Sequence, residues 1–261
     1  MTFCPLCSGS SGNASFLEAG GLRVLIDAGM TGKRITELLH GIDIQAHTID
    51  AILVTHEHSD HIAGVGVLSR KYGIPVYADA ECFERMLPMI GGLPASNMRV
   101  FEPDREFYIK TLRVLPFSIP HDCVRPVGYA LSAGGRKVCV MTDVGHVSAR
   151  MLDAAADSDL LLIEANHDVD MLRAGSYPYP LKQRILGGSG HLSNEDCGLA
   201  LAKLYERNVR SAILGHLSNE NNTPELAMVT VRTVLEEAGI PEDWFVTVAE
   251  RYKPTGVFTI E

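Results

Sequence analysis

Between Thr55 and His61 the chain places His56, His58, Asp60 and His61, three imidazoles and a carboxylate within six residues. Residues two apart in an extended segment point the same way, so His56 and His58 can grip one metal ion together. Asp60 and His61, beyond the bend, can serve a second ion. Three further candidates follow strand-like runs: His121 after Leu112–Phe117, Asp143 after Lys137–Met141 and His216 after Ala212–Leu214. One set collects them all. His56, His58 and His121 form a three-imidazole site with a position left open for water. Asp60, His61 and His216 form a neighbouring site, and Asp143 bridges the two. Every donor is nitrogen or oxygen, which suits zinc and equally manganese or iron(II). A closed structural zinc would more often use thiolates, so the expected cofactors are two divalent ions in a catalytic pair.

These side chains need rigid elements behind them. Ala51-Ile52-Leu53-Val54 is short, apolar and β-branched, as a buried strand is, so the histidine cluster leaves a strand's C-terminal end. Leu22–Ile26 is a second such run, ending at Asp27. A carboxylate there needs partners. It is either a helix cap or the group that orients a ligand histidine, and the second role is expected. Helices are expected over 31–40, 62–72, 79–86, 148–156 and 193–205, with a loop over 86–94 and Ser193 as the N-cap of the last. Thr223-Pro224 opens a further long helix. Strands 128–131 and 137–141 make a hairpin through Ala133-Gly134-Gly135. This order predicts an α/β fold of two mixed sheets packed face to face with helices outside, as one domain over 1–261.

With 261 residues, 46% of them hydrophobic, the chain can bury a large core. It has no apolar run of membrane-spanning length, so no membrane partner is expected. Its N-terminus lacks the basic and apolar regions of a signal peptide, which predicts a cytoplasmic protein. Six scattered cysteines are then expected to be thiols, Cys4 and Cys7 among them. A net charge of −9 excludes indiscriminate coating of nucleic acid but not a cleft whose field is set by metal ions.

His56-x-His58-x-Asp60-His61, with Asp27 before it and His121, Asp143 and His216 after it, resembles the metallo-β-lactamase-fold hydrolases across essentially the whole chain. The resemblance implies an αββα four-layer sandwich with two metals at the rim between the sheets. The lactamases proper are poorer matches, because they lack a bridging aspartate where Asp143 stands. Gly-His-Leu-Ser-Asn-Glu occurs twice, at 190–195 and 215–220. The second copy supplies His216, and the first leaves His191 unassigned at a helix N-terminus. Glu164 ends a strand in Glu164-Ala165-Asn166-His167-Asp168. A glutamate there and an extra upstream histidine resemble the phosphodiesterase branches, tRNase Z included. Together with Ser8-Gly9-Ser10-Ser11-Gly12-Asn13, they resemble most closely the YycJ/WalJ-type branch, implicated in 5′→3′ DNA exonuclease activity.

That resemblance implies a metal-dependent phosphodiesterase acting on nucleic acid, with single-stranded or end-containing DNA as its expected partner. Asp60 would orient the nucleophile, and His191, supported by Glu164, would protonate the departing oxygen. Lys182, Arg184 and His167 are expected to touch substrate. Lys182 and Arg184 lie beside Tyr177 and Tyr179, and aromatics among cations suit single strands. Cys123 is expected to line the site wall. A thioesterase or lactonase would use the same two metals but leave His191 idle. A non-catalytic metal-dependent module is the third reading.

Overall fold

A computed structural model describes residues 1–261. The first half supplies strands β1 (Thr2–Cys7), β2 (Ala14–Ala19), β3 (Leu22–Ile26), β4 (Ala51–Leu53), β5 (Val76–Asp79) and β6 (Met98–Phe101). The second supplies β7 (Phe107–Ile109), β8 (Leu112–Ser118), β9 (Val127–Ala133), β10 (Arg136–Met141), β11 (Leu160–Glu164), β12 (Ser211–Gly215) and β13 (Phe245–Val248). A last strand, β14 (Phe258–Thr259), returns to pair with β1. Two seven-stranded sheets result, in the orders β14-β1-β2-β3-β4-β5-β6 and β13-β12-β11-β10-β9-β8-β7. Helices α1 (Gly32–His40), α2 (Ser59–Ile62), α3 (Val65–Tyr72) and α4 (Ala80–Ile90) belong to the first half. The second carries α5 (Ala149–Ala155), α6 (Val169–Ala174), α7 (Tyr179–Ile185), α8 (Asn194–Tyr205) and α9 (Pro224–Glu237). No helix is long and apolar enough to cross a membrane.

Strand alternation explains the layering. On β3, Val24 and Ile26 join Leu162 and Val140 in a core between the sheets, while Leu25 packs with Ile35 and Leu39 of α1. On β11, Leu160 and Leu162 face the same inter-sheet core, while Leu161 and Ile163 pack with Leu201 and Leu204 of α8. Both faces of these strands are therefore apolar, as strands covered on both sides require. The αββα sandwich follows from this pattern. Cys4 and Cys7 sit buried in β1, and all six cysteines are free thiols.

Three helix boundaries depart from the sequence reading. The helix expected over 62–72 starts at Val65 as α3, and Ile62 instead closes the short α2, because Gly64 N–H turns aside to donate to the Ala28 carbonyl at 2.8 Å. Helix α4 runs on to Ile90 and carries Pro88 within it, where a loop from 86 was expected. Helix α7 carries the aromatics and cations from Tyr179 to Arg184, where the sequence predicts no regular element, and the short α6 precedes it. The Ser193 cap is as expected, with its side chain accepting from Asp196 N–H.

Candidate metal centre and its cleft

The parallel strands β3 and β4 of one sheet, and β10, β11 and β12 of the other, end at one rim. Asp27, Thr55-His56, Asp143, Glu164 and His216 stand at those ends. Leu162 faces the inter-sheet core, so Glu164, two residues on, leans the same way and reaches the rim. Asp27, Asp143 and His216 all adopt left-handed backbone, with φ of 60°, 59° and 54°. Such conformations cost free energy in residues with a Cβ, and they persist where surrounding bonds over-determine them. Here those bonds are visible: the Asp27 carboxylate accepts from Thr55 N–H at 2.8 Å, and Ser8 Oγ accepts from His216 N–H at 2.8 Å.

The loop of His56 to His61 is locked by backbone. Asn13 N–H donates to the Asp60 carbonyl, Ala28 N–H to the His61 carbonyl, and Gly29 N–H to the Asn13 carbonyl. A Cβ on Gly29 would lie 1.6 Å from the Asp60 carbonyl oxygen, so only glycine permits this crossing.

In four of the rings, those of His56, His61, His121 and His216, the inner nitrogen is aimed by what the other nitrogen binds. His61 Nδ1 lies 2.7 Å from Asp27 Oδ2, and His216 Nδ1 lies 2.6 Å from Glu164 Oε1. His121 Nδ1 lies 3.1 Å from the Gly190 carbonyl oxygen. These oxygens only accept, so each Nδ1 carries a proton and each Nε2 points inward. Thr55 Oγ1 donates to Asp27 and so is free to accept from His56 Nδ1 at 3.0 Å. Asp27 thus lies beneath His61, a candidate ligand histidine.

The inner atoms converge. His56 Nε2 lies 3.1 Å from His58 Nδ1, and His121 joins them to form one group. Asp60, His61 and His216 form the other. Between them, one oxygen of Asp143 lies 3.7 Å from His121 Nε2 and 3.5 Å from His216 Nε2, and the other lies 3.2 Å from His61 Nε2. His121 Nε2, His216 Nε2 and Asp143 Oδ2 are buried without a hydrogen-bond partner. Buried polar atoms left unpaired are costly. Three of them at one rim, all nitrogen or oxygen, fit bound divalent cations. Glu164 is near enough to be a ligand too. Its oxygens are already engaged, however, by His191, His216, Val144 N–H and Leu192 N–H.

The electrostatics divide the two groups. Burial holds His56 and His121 below the ordinary imidazole range, with cationic neighbours adding to this at His56. Burial also pushes down on His61 and His216, but the Asp143 carboxylate and its acidic neighbours outweigh it. His61 is held well above the ordinary range, and His216 rises to about 10. Burial would raise Asp143, yet His216 and His61 hold it well below the usual carboxylate range. His56 and His121 therefore offer neutral nitrogens, while His61 and His216 store protons that a cation would displace.

The repeated Gly-His-Leu-Ser segments run along both sides of the chain that continues β11. Asn166 N–H donates to the Leu192 carbonyl and Asn194 N–H to that of His167 on one side; Ala165 N–H donates to the Gly215 carbonyl and Ser218 N–H to that of Asn166 on the other. Each copy thereby delivers its histidine to Glu164, His191 Nδ1 lying 2.7 Å from the oxygen that His216 also uses. Burial would raise Glu164, but His191 and His216 bring it down to about 2. Against burial, that carboxylate holds His191 above the ordinary imidazole range.

A cleft of about 240 Å³ opens over these groups, lined by His58, Asp60, His121, Asp143, His191 and His216. Tyr177, Leu181, Arg184 and Ile185 form a wall of it. Lys182 does not line it: its ammonium donates to the carbonyls of Arg173 and Gly175, 2.7 Å each, and so ties α6 to α7. Nor does His167 reach it, for the ring is 1% exposed and burial pushes it down to about 4. Tyr179, 73% exposed, and Cys123 also lie outside the lining. The sequence reading gave no role to Ser10, Asp122, Asn166 and Ser218, which line the cleft. It also missed Asn13, whose amide nitrogen lies 3.1 Å from His61 Nε2. The dense run of small polar residues from Ser8 to Asn13 was the available signal.

Residues 22–217 match the family model described as a beta-lactamase superfamily domain. The chain is 44% identical over 237 residues to exodeoxyribonuclease WalJ of Streptococcus pneumoniae, covering 90% of this chain and 88% of that one. It is 40% identical over 239 residues to exodeoxyribonuclease YycJ of Bacillus anthracis, covering 92% and 90%. Among solved structures, the metallo-beta-lactamase fold protein YhfI of Bacillus subtilis is similar with a TM-score of 0.73, at 16% identity over 99% of this chain and 100% of that one. The short form of human tRNase Z is similar with a TM-score of 0.68, at 19% identity and full coverage of both, 100% each. A chain that matches this family over most of its length, with such relatives end to end, belongs to the beta-lactamase superfamily and is one of its metal-dependent hydrolases.

Proposed function

We propose that this chain is a phosphodiesterase that removes nucleotides from DNA ends, using two divalent metal ions. The observation that carries the reading is the Glu164–His191 pair beside the candidate ligands. His191 Nδ1 is committed to Glu164, so its Nε2 is the nitrogen free to present a proton to the cleft. A carbonyl hydrolase with the same ligands has less need of such a group. The names of the relatives at 40–44% identity support the same class.

His56, His58 and His121 would hold one ion and Asp60, His61 and His216 the other, with Asp143 shared. When bound, the ions supply Lewis acidity that activates water and neutralises charge on the phosphoryl oxygens. Asp60, partly open to the cleft, accepts a hydrogen bond from the attacking water and orients it. His191, kept protonated by Glu164, delivers its Nε2 proton to the leaving oxygen. Tyr177 offers a face on which a base can stack, and Arg184 a cation for the backbone.

The test uses purified protein loaded with zinc, manganese or iron(II). Bis-p-nitrophenyl phosphate and DNA oligonucleotides labelled at either end should be hydrolysed, the latter from an end. Efficient cleavage of a thioester or a lactone, with both phosphodiesters untouched under every metal, would overturn the reading.

A further inference from the structure

Asp122 follows the candidate ligand His121 and lines the cleft, with Oδ1 3.4 Å from His121 Nε2. A third carboxylate so close to the inner nitrogens would repel the oxygens of any phosphate arriving there. Arg184 cancels it: the guanidinium of α7 reaches across the cleft and pairs with Asp122 through Nε. The pair is open to solvent, the side chains being 55% and 28% exposed. Exposed ion pairs are worth little and break readily. A phosphate offers the guanidinium better geometry, because two oxygens can take two parallel N–H groups.

The neighbourhood gives an exchange consequences. Helix α7 ends at Ile185, whose carbonyl accepts from His191 N–H at 3.1 Å. The Gly190 carbonyl accepts from His121 Nδ1. A Cβ on Gly190 would come within 2.2 Å of the Ile185 carbonyl, so this contact has no slack. Arg184 is thus mounted on the element that also seats His191 and His121.

We infer that Arg184 and Asp122 form an exchangeable pair, in which Arg184 leaves Asp122 for a phosphate of the entering strand. Asp122 then sets how strongly an anion must compete to be admitted. It is a specificity-determining residue that binds nothing of the substrate itself. The inference rests on the phosphodiesterase reading for its ligand class, but the ordering of two variants tests it separately.

The experiment compares wild type, Asp122→Asn and Arg184→Ala, each metal-loaded. The Kd of inorganic phosphate is measured by calorimetry, and KM with a DNA oligonucleotide. Asp122→Asn releases Arg184 and should tighten both, by up to about fivefold. Arg184→Ala should weaken both by about tenfold or more. The double variant should fall between the two, weaker than Asp122→Asn because the guanidinium is gone and tighter than Arg184→Ala because no bare carboxylate remains to repel the anion. If Asp122→Asn weakens phosphate binding as Arg184→Ala does, the pair is only a structural tie and the inference fails. If both variants leave phosphate binding unmoved, Arg184 does not meet the anion and it fails equally. Phosphate Kd values in the expected order, with oligonucleotides not cleaved, would sustain the exchange and remove the proposed function instead.

Discussion

His191 and His216 share one acceptor: their Nδ1 atoms lie 2.7 and 2.6 Å from the same oxygen of Glu164. Equal bonding on one side leaves the two rings with different tasks on the other. His216 Nε2 is buried among Asp60 and Asp143, at 3.7 and 3.5 Å, whereas the His191 side chain keeps 20% of its surface open.

His216→Ala is accordingly expected to lose metal and activity together. His191→Ala should keep both metals by elemental analysis, while its rate on oligonucleotides falls by roughly 10²–10⁴-fold. A nitrophenolate leaving group needs little protonation, so the loss on bis-p-nitrophenyl phosphate should be smaller. Equal losses on the two substrates would leave His191 a binding group. A stripped metal would make it a ligand.

The Glu164 cluster predicts a pH window for the metal-free protein. Glu164 falls from an ordinary 4.5 to about 2, so its contribution is complete above 4.5 and disappears as pH drops through about 2. His216 rises from 6.5 to about 10, so its contribution is complete below 6.5 and disappears as pH climbs through about 10. The cluster is therefore at full strength between 4.5 and 6.5. Thermal melts of chelator-treated wild type and Glu164→Gln should differ most there and converge on both sides. A difference independent of pH would mean that Glu164 stabilises by packing alone.

Metal loading should release protons, because His61 and His216 hold theirs in the carboxylate group and a ligand nitrogen must be bare. Calorimetry at pH 7 in buffers of different ionisation enthalpy is expected to show about two protons leaving per chain. Heats that do not vary with buffer would argue that neither histidine is a ligand.

Asp27→Asn keeps a residue type that tolerates left-handed backbone, so the chain should fold. What it removes is the negative charge 2.7 Å from His61 Nδ1. Losing such a partner typically costs 10–100-fold in metal affinity, and the loss should fall on the ion held by His61. Competition against a chromophoric chelator reads it directly. Unchanged affinity would reduce Asp27 to a backbone anchor for Thr55.

The candidate ligand cluster stands out in the linear chain because its geometry is local. A buried strand, a bend and a helix start place His56, His58, Asp60 and His61 within one turn of chain. Glu164 stood out in the sequence as the carboxylate that ends an apolar strand and through the family resemblance, whereas the face it occupies was decided by the packing of Leu162 into the inter-sheet core. The layering was legible because strands apolar on both faces must be covered on both. Lys182 and His167 show where that stops. Both lie outside the strands, Lys182 on a short helix and His167 in a loop. Lys182 sits on a seven-residue helix that packing rotates so its ammonium meets two carbonyls. His167 lies on a chain enclosed by two segments that are 27 and 52 residues away from Glu164 at their histidines. That both repeats converge on one oxygen, and that Asp122 faces Arg184 across 62 residues, was decided only when the strands closed on one rim. Sequence spacing sets which side chains a strand can aim, but contacts between strand ends depend on how the sheets stack.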